Sequence, residues 1–228
     1  MIKEARAWLK NVGMGKYNDF IIIFLAMVYV TIKLTCNLMY LRLVEVSIIF
    51  PPHDMIIPAS TFLFPLVYVL AICIMMLSNK RIALIVALIG ILCDGFFSFG
   101  SGSIIRLPIP YSMTPSELKN TLSINLIGNY MWSFYMKGII VSIVTSILSL
   151  EIFIFLNKIK VGLFINMLIS TFFATIIHHM QMVPYINWGY MFYILKEYSL
   201  LYLSVLILYI MIAITVRQIA AKSWEMGN

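Results

Sequence analysis

Charged residues are scarce in this 228-residue chain. They make up 11% of it, against 62% hydrophobic residues, where a water-soluble domain carries roughly 25% charged residues. No polar stretch is long enough for a large soluble domain, and mean hydropathy is +0.99. Acids are fewest: nine Asp and Glu stand against sixteen Lys and Arg, a formal net charge of +7. The excess does not signify nucleic acid, because no basic cluster is interleaved with exposed aromatics. Cysteine falls to three, Cys36, Cys73 and Cys93, with no CxxC and no even-numbered framework, which excludes a disulfide scaffold or a thiolate metal set and leaves them as small apolar residues. Gly13-Met14-Gly15-Lys16 lacks the G-x-x-x-x-G-K-[ST] spacing, so the chain carries no ATPase of its own. Neither H-E-x-x-H nor Gly-x-Ser-x-Gly occurs. The chain is therefore read as a non-enzyme with no cofactor and no metal.

What fills the sequence is six apolar runs, near Phe20 to Tyr40, Pro58 to Leu77, Ile82 to Phe99, Lys137 to Leu156, Val161 to Met180 and Ser199 to Val216. Each is about the 17 to 25 residues a spanning helix requires. The expected fold class is all-α: a polytopic bundle of six transmembrane helices over 20–216, between a basic N-terminus, 1–19, and a tail, 217–228. The first run is too long for a signal h-region and no small-x-small site follows it, so it reads as a retained helix. Lys3, Arg6, Lys10 and Lys16, then Lys80 and Arg81, then Lys158 and Lys160, then Arg217 and Lys222 fall in alternate connections. The positive-inside rule makes these cytoplasmic and puts both termini on the cytoplasmic side of the inner membrane. Arg42, Arg106, Lys119 and Lys196, on the other side, are diluted by Glu45, Asp54, Glu117 and Glu197.

The longest outer connection, within 100–136, contains Thr114-Pro115-Ser116-Glu117. Thr as N-cap, Pro at the first helical position and Glu closing a capping box predict a helix starting at Pro115. Continued to Leu156 it would exceed what a bilayer needs, so a break is expected near Gly128 or Gly138, with a short interfacial helix before the fourth span.

Ionisable groups inside a membrane are costly and usually face a partner or a cavity. Tyr29, Lys33, Asn37 and Tyr40 form one stripe on the first helix, while Gly90, Asp94 and Ser98 share a face of the third. Counted from the inner ends, Lys33 and Asp94 both sit roughly 18 to 20 Å deep; pairing across a cavity and simple boundary placement both stay open. The fourth helix adds Ser142, Thr145, Ser146, Ser149 and Glu151, and the fifth Asn166, Ser170, Thr171, Thr175 and His178. Glu151, Asn166 and Ser170 are expected to line the inner half of a substrate cavity. The same hydroxyl faces also serve as packing glue between helices. Adjacent His178 and His179 cannot both ligate one metal from a regular helix.

Pro58-Ala59-Ser60-Thr61-Phe62-Leu63-Phe64-Pro65-Leu66-Val67-Tyr68, Leu150-Glu151-Ile152-Phe153-Ile154-Phe155 and Ile169-Ser170-Thr171, with Trp188 in the following loop, stand in an order that resembles the putative vitamin uptake transporters, which include the queuosine precursor transporters. The resemblance implies a six-helix uptake protein for a small polar heterocycle of 7-deazaguanine type or a related nucleobase or vitamin. It implies substrate contacts at Phe64, Glu151, Ser170 and Thr171. The chain departs from the pattern at Ile72 and Met76, and at Asn166 and His178, where the family carries acidic, basic or other polar groups. The partners expected are the small-molecule substrate and the lipid bilayer. A homo-oligomer, and ATPase partner subunits of a vitamin importer whose substrate-capture subunit this would be, remain open alternatives.

Overall fold

The computed structural model describes residues 14–40, 43–49, 52–104, 114–180 and 201–215. The basic residues before Met14, Arg42, the loop around Arg106, Trp188 with Lys196 and Glu197, and the tail from Val216 lie outside the described residues. Within them the order is α1 (Met14–Tyr40), β1 (Leu43–Ile49), β2 (Pro52–Pro58), α2 (Ser60–Leu77), α3 (Lys80–Ile104), α4 (Pro115–Lys158) and α5 (Leu163–Met180), then α6 (Leu201–Thr215). Each apolar run is thus helical over most of its described residues. Among the described residues four helices are long and apolar enough to cross a membrane, through Phe20–Met39, Ser60–Leu77, Lys80–Ser101 and Tyr135–Lys158, while the apolar parts of α5 and α6 are shorter.

The packing is inverted relative to a water-soluble bundle. On α3 the face turned inward carries Ala83, Ala87, Gly90, Asp94 and Ser98, and the outward face carries Ile85, Leu88, Leu92, Phe96 and Phe99. Phe96 is 77% exposed and Ile140 of α4 71%, whereas Lys33 is 5% exposed and Asp94 7%. Large exposed apolar surface around a polar interior is unfavourable in water and favourable in lipid, where tails solvate the outer residues and small or polar ones mediate helix contact. These are the marks of a membrane protein.

α2 forms the middle of the bundle: 61% of its membrane-length stretch is buried, against 17% for α1. Pro65 lies inside it and removes the donor that would serve the Thr61 carbonyl. One residue on, the Tyr209 hydroxyl of α6 donates to the Phe62 carbonyl at 2.9 Å. Between α2 and α3 the turn is two residues long. Ser78 closes α2 by donating its N–H to the Ile74 carbonyl, and the Asn79 side chain caps α3 by accepting from the Ile82 N–H at 3.0 Å. At the α4–α5 turn Lys160 takes a positive φ of 60°, and the Val161 N–H reaches back to the Leu156 carbonyl, the bonding of a Schellman ending.

Helix directions follow from side-chain contacts. A Cβ built on Gly90 would meet Tyr29 and Lys33, and Asn37 bonds Asp94. Partners rise together in number, so α1 and α3 run parallel. Lys80 pairs with Glu151 and Gly95 packs on Tyr135, so α4 runs antiparallel to α3. Asn166 to Phe153 and His178 to Thr145 make α5 antiparallel to α4. Lys80, Arg81, Glu151 and Lys158 therefore gather at one end of the bundle and Phe99 with Trp132 at the other.

Two expectations are corrected. The expected helix bundle named no strand; the connection between α1 and α2 holds an antiparallel hairpin in which Leu43 faces Pro58 and Ile49 faces Pro52. Val44, Val46 and Ile48 alternating with Glu45 and Ser47 is a strand pattern, and the prolines fall at strand ends, where a missing N–H is tolerated. The break near Gly128 or Gly138 is absent: α4 starts at Pro115 as expected but continues for 44 residues. Each glycine costs a helix about 1 kcal/mol but keeps its N–H, and no proline follows Pro115 to interrupt the ladder.

Candidate functional site

A cavity of about 370 Å³, its mouth included, opens among five helices. α1 contributes Lys33 and Asn37, α2 Phe64, and α3 Ile91 and Asp94. α4 supplies Tyr135, Gly138, Ile139 and Ser142, and α5 His178. Its interior is narrow in this conformation, with room for only about one or two waters.

The charged wall arises where α1 and α3 approach. Gly90 allows it: a Cβ there would stand 2.6 Å from Tyr29 Cε1 and 3.4 Å from Lys33 Cδ. One turn further along both helices the Asn37 side-chain amide donates to Asp94 Oδ1. Lys33 and Asp94 are within electrostatic reach of each other, yet the direct donor to the carboxylate, among the described residues, is neutral Asn37. The expected equal depth is therefore displaced by about a turn, and lysine and aspartate face a common space.

The opposite wall is aromatic and hydroxylic. Phe64 and His178 have ring centroids 4.2 Å apart at 37°, and Tyr68 meets Phe64 edge-on at 5.5 Å. The buried Tyr68 hydroxyl donates to Thr145 Oγ1 at 2.8 Å, and Thr145 donates its own proton to the Val141 carbonyl at 2.7 Å. Thr145 is thus an acceptor toward His178 Nδ1, 3.5 Å away, which favours the tautomer protonated on Nδ1. His178 is held by two neighbouring helices.

Of the ten candidate residues, Lys33, Asn37, Phe64, Asp94 and His178 line this cavity. Glu151 does not. It pairs with Lys80 at the bundle end, and the two side chains are 49% and 39% exposed. Asn166 is buried between helices, donating to the Phe153 carbonyl at 3.0 Å. Ser170, Thr171 and Thr175 are fully buried and return their protons to their own helix, on the carbonyls of Asn166, Met167 and Thr171. In place of the expected inner cavity of Glu151, Asn166 and Ser170, the structure has an exposed ion pair and a helix-packing seam. Tyr135 and Ser142 are cavity residues that were not among the candidates. Ser142 belongs to the α4 hydroxyl face already visible in sequence; Tyr135 looked interfacial because the helix was expected to break beside it.

No group of three or more His, Cys, Asp or Glu among the described residues is placed to hold a metal ion. Compared with known families, curated proteins and solved structures, the chain matches no family model, no curated sequence and no solved fold.

Proposed function

We propose that this chain is an integral membrane transporter for a small polar heterocycle, with the cavity between α1, α3 and α4 as its binding place. The observation that carries the reading is that a lysine and an aspartate, each over nine-tenths buried, share one cavity inside apolar helices. Such groups are expensive to keep in a membrane and mark ligand or ion pathways. Asp94 offers acceptors to ring N–H groups, Lys33 a donor to a ring carbonyl, and Phe64 and Tyr135 flat apolar walls. Phe64 also belongs to the Phe-Pro segment that resembles the vitamin uptake family, and a 7-deazaguanine-type compound fits that donor and acceptor order. The present space is too narrow for a bicyclic ring, so binding one requires the helices to part. Six spans, both termini cytoplasmic in an inner membrane, accord with Lys80, Arg81 and Lys158 at one bundle end. α4 is about 66 Å long, more than twice a hydrocarbon core of about 30 Å, so its first turns extend past the outer face.

Uptake of labelled 7-deazaguanine-type, nucleobase-like and vitamin-like heterocycles, in cells lacking their own importers, tests the reading. Asp94→Asn is expected to lower uptake at least tenfold at normal membrane abundance, the effect of about 1.5–3 kcal/mol for a hydrogen bond to a charged group. Glu151→Gln is expected to stay within about twofold, since an exposed pair contributes little. No uptake of any such compound by the parent, or equal loss in both variants, would refute the assignment. Uptake that requires a copurifying ATPase identifies a capture subunit instead.

A further inference from the structure

The cavity is bracketed along the bundle axis by two tyrosines, each seated on a glycine of α3. Toward the Lys80 end Tyr29 of α1, 1% exposed, lies on Gly90, where a Cβ would fall 2.6 Å from its Cε1. Toward the opposite end Tyr135 of α4 lies on Gly95, where a Cβ would fall 2.5 Å from the phenol oxygen and 2.6 Å from Cζ. Asp94 stands between the two notches. Tyr135 is braced from outside by Trp132, stacked at 5.9 Å and 27°, and Trp132 by Phe99 at 5.6 Å. Each ring thus fills the space that a side chain on α3 would take.

We propose that Tyr29 and Tyr135 are the two gates of the cavity, Tyr29 closing it toward the Lys80 end and Tyr135 toward the Trp132 end. This rests on the transport reading above. A carrier must expose its binding place to one side at a time, and here the rings toward the two ends of the cavity belong to different helices, α1 and α4. Moving α1 away from α3 withdraws Tyr29 and leaves Tyr135 in place; moving α4 does the reverse. The glycines set how tightly each gate closes, because an added methyl must displace the ring.

The test reads accessibility and needs no ligand. In a chain with Cys36, Cys73 and Cys93 replaced by Ala, Ser142→Cys provides a thiol on the cavity wall, and a membrane-impermeant maleimide is applied to sealed vesicles from one side or the other. Labelling of this parent is expected to be slow from both sides. Tyr135→Ala is expected to speed it on the order of tenfold from the Trp132 side alone, and Tyr29→Ala by a similar factor from the Lys80 side alone, as when an open minor state of about 1% rises to about 10%. If either alanine variant fails to fold, Gly95→Ala or Gly90→Ala displaces the same ring and is expected to act on the same side. Unchanged labelling in the variants of both pairs, or acceleration from the same side by both, overturns the gate assignment. Side-specific labelling without heterocycle uptake upholds the gates and refutes the substrate reading; uptake with no change in labelling does the opposite.

Discussion

Lys33→Met and Asp94→Leu are each expected to destabilise the protein by about 3 kcal/mol, the lower end of what breaking a buried pair costs, and the double variant is expected to recover most of that loss. Each single change leaves one charge facing a narrow cavity whose other walls include the apolar Ile91, Ile139 and Phe64 beside Tyr135, Ser142 and His178. Water admitted to the cavity and the amide of Asn37 moderate the effect, which is why the lower end applies. With both charges gone no unpaired charge remains in the cavity, whose polar groups are then the neutral side chains of Asn37, Tyr135, Ser142 and His178, and the loss is small. Melting temperature and folded yield in detergent give the three values, and the interaction energy is expected to exceed about 1 kcal/mol. Strict additivity would show that α1 and α3 do not place these charges in one field. Uptake then separates two roles: a structural pair leaves the double variant active, whereas a binding or coupling pair leaves it folded and inactive.

The second large effect concerns the approach of α1 to α3. Gly90→Ala puts a methyl 2.6 Å from the Tyr29 ring, closer than any carbon contact allows, and Tyr29 is enclosed by the core. Overpacking of this kind costs about 1–3 kcal/mol. Tyr29→Ala alone is also destabilising, through lost burial and a cavity, by about 3–5 kcal/mol as for other large aromatics. Combined, the methyl occupies part of the vacated space, so the double variant is expected to be clearly less destabilised than the sum. Thermal melting of the four proteins checks this. A harmless Gly90→Ala would mean that the helices separate at no cost, and that the contact of Tyr29 with Gly90 does not hold α1 against α3.

Helix existence was legible because lipid demands it: about twenty apolar residues in succession leave few other structures, since every backbone group must bond within its own segment. The stripe of Tyr29, Lys33 and Asn37 and the face of Gly90, Asp94 and Ser98 were legible for the same reason, as polar residues at helical spacing have one favourable direction in an apolar medium. The hairpin after α1 was written in the alternation of Val44, Val46 and Ile48 with Glu45 and Ser47, but a search for spans passes over fourteen paired residues. The unbroken α4 was misjudged because glycine spacing weighs on propensity alone, while contacts of Trp132 with Phe99 and of Tyr135 with Gly95 support the helix from its neighbours.

Local periodicity, which depends only on residues near in sequence, settled that the chain is helical and which polar residues share a face; that Lys33 and Asp94 are both buried came from the packing. Periodicity said nothing about how far one helix slides along another. That sliding put Asn37 rather than Lys33 on Asp94, sent Glu151 to Lys80 at the exposed bundle end, and turned Ser170, Thr171 and Thr175 onto their own helix backbone. It also brought Tyr135 and Ser142, from a helix some forty residues on, to the wall facing Asp94. Register between helices is set by the fit of side chains into notches such as Gly90 and Gly95, a property of two surfaces at once, and for that reason the membership of the cavity emerged only when the helices were packed.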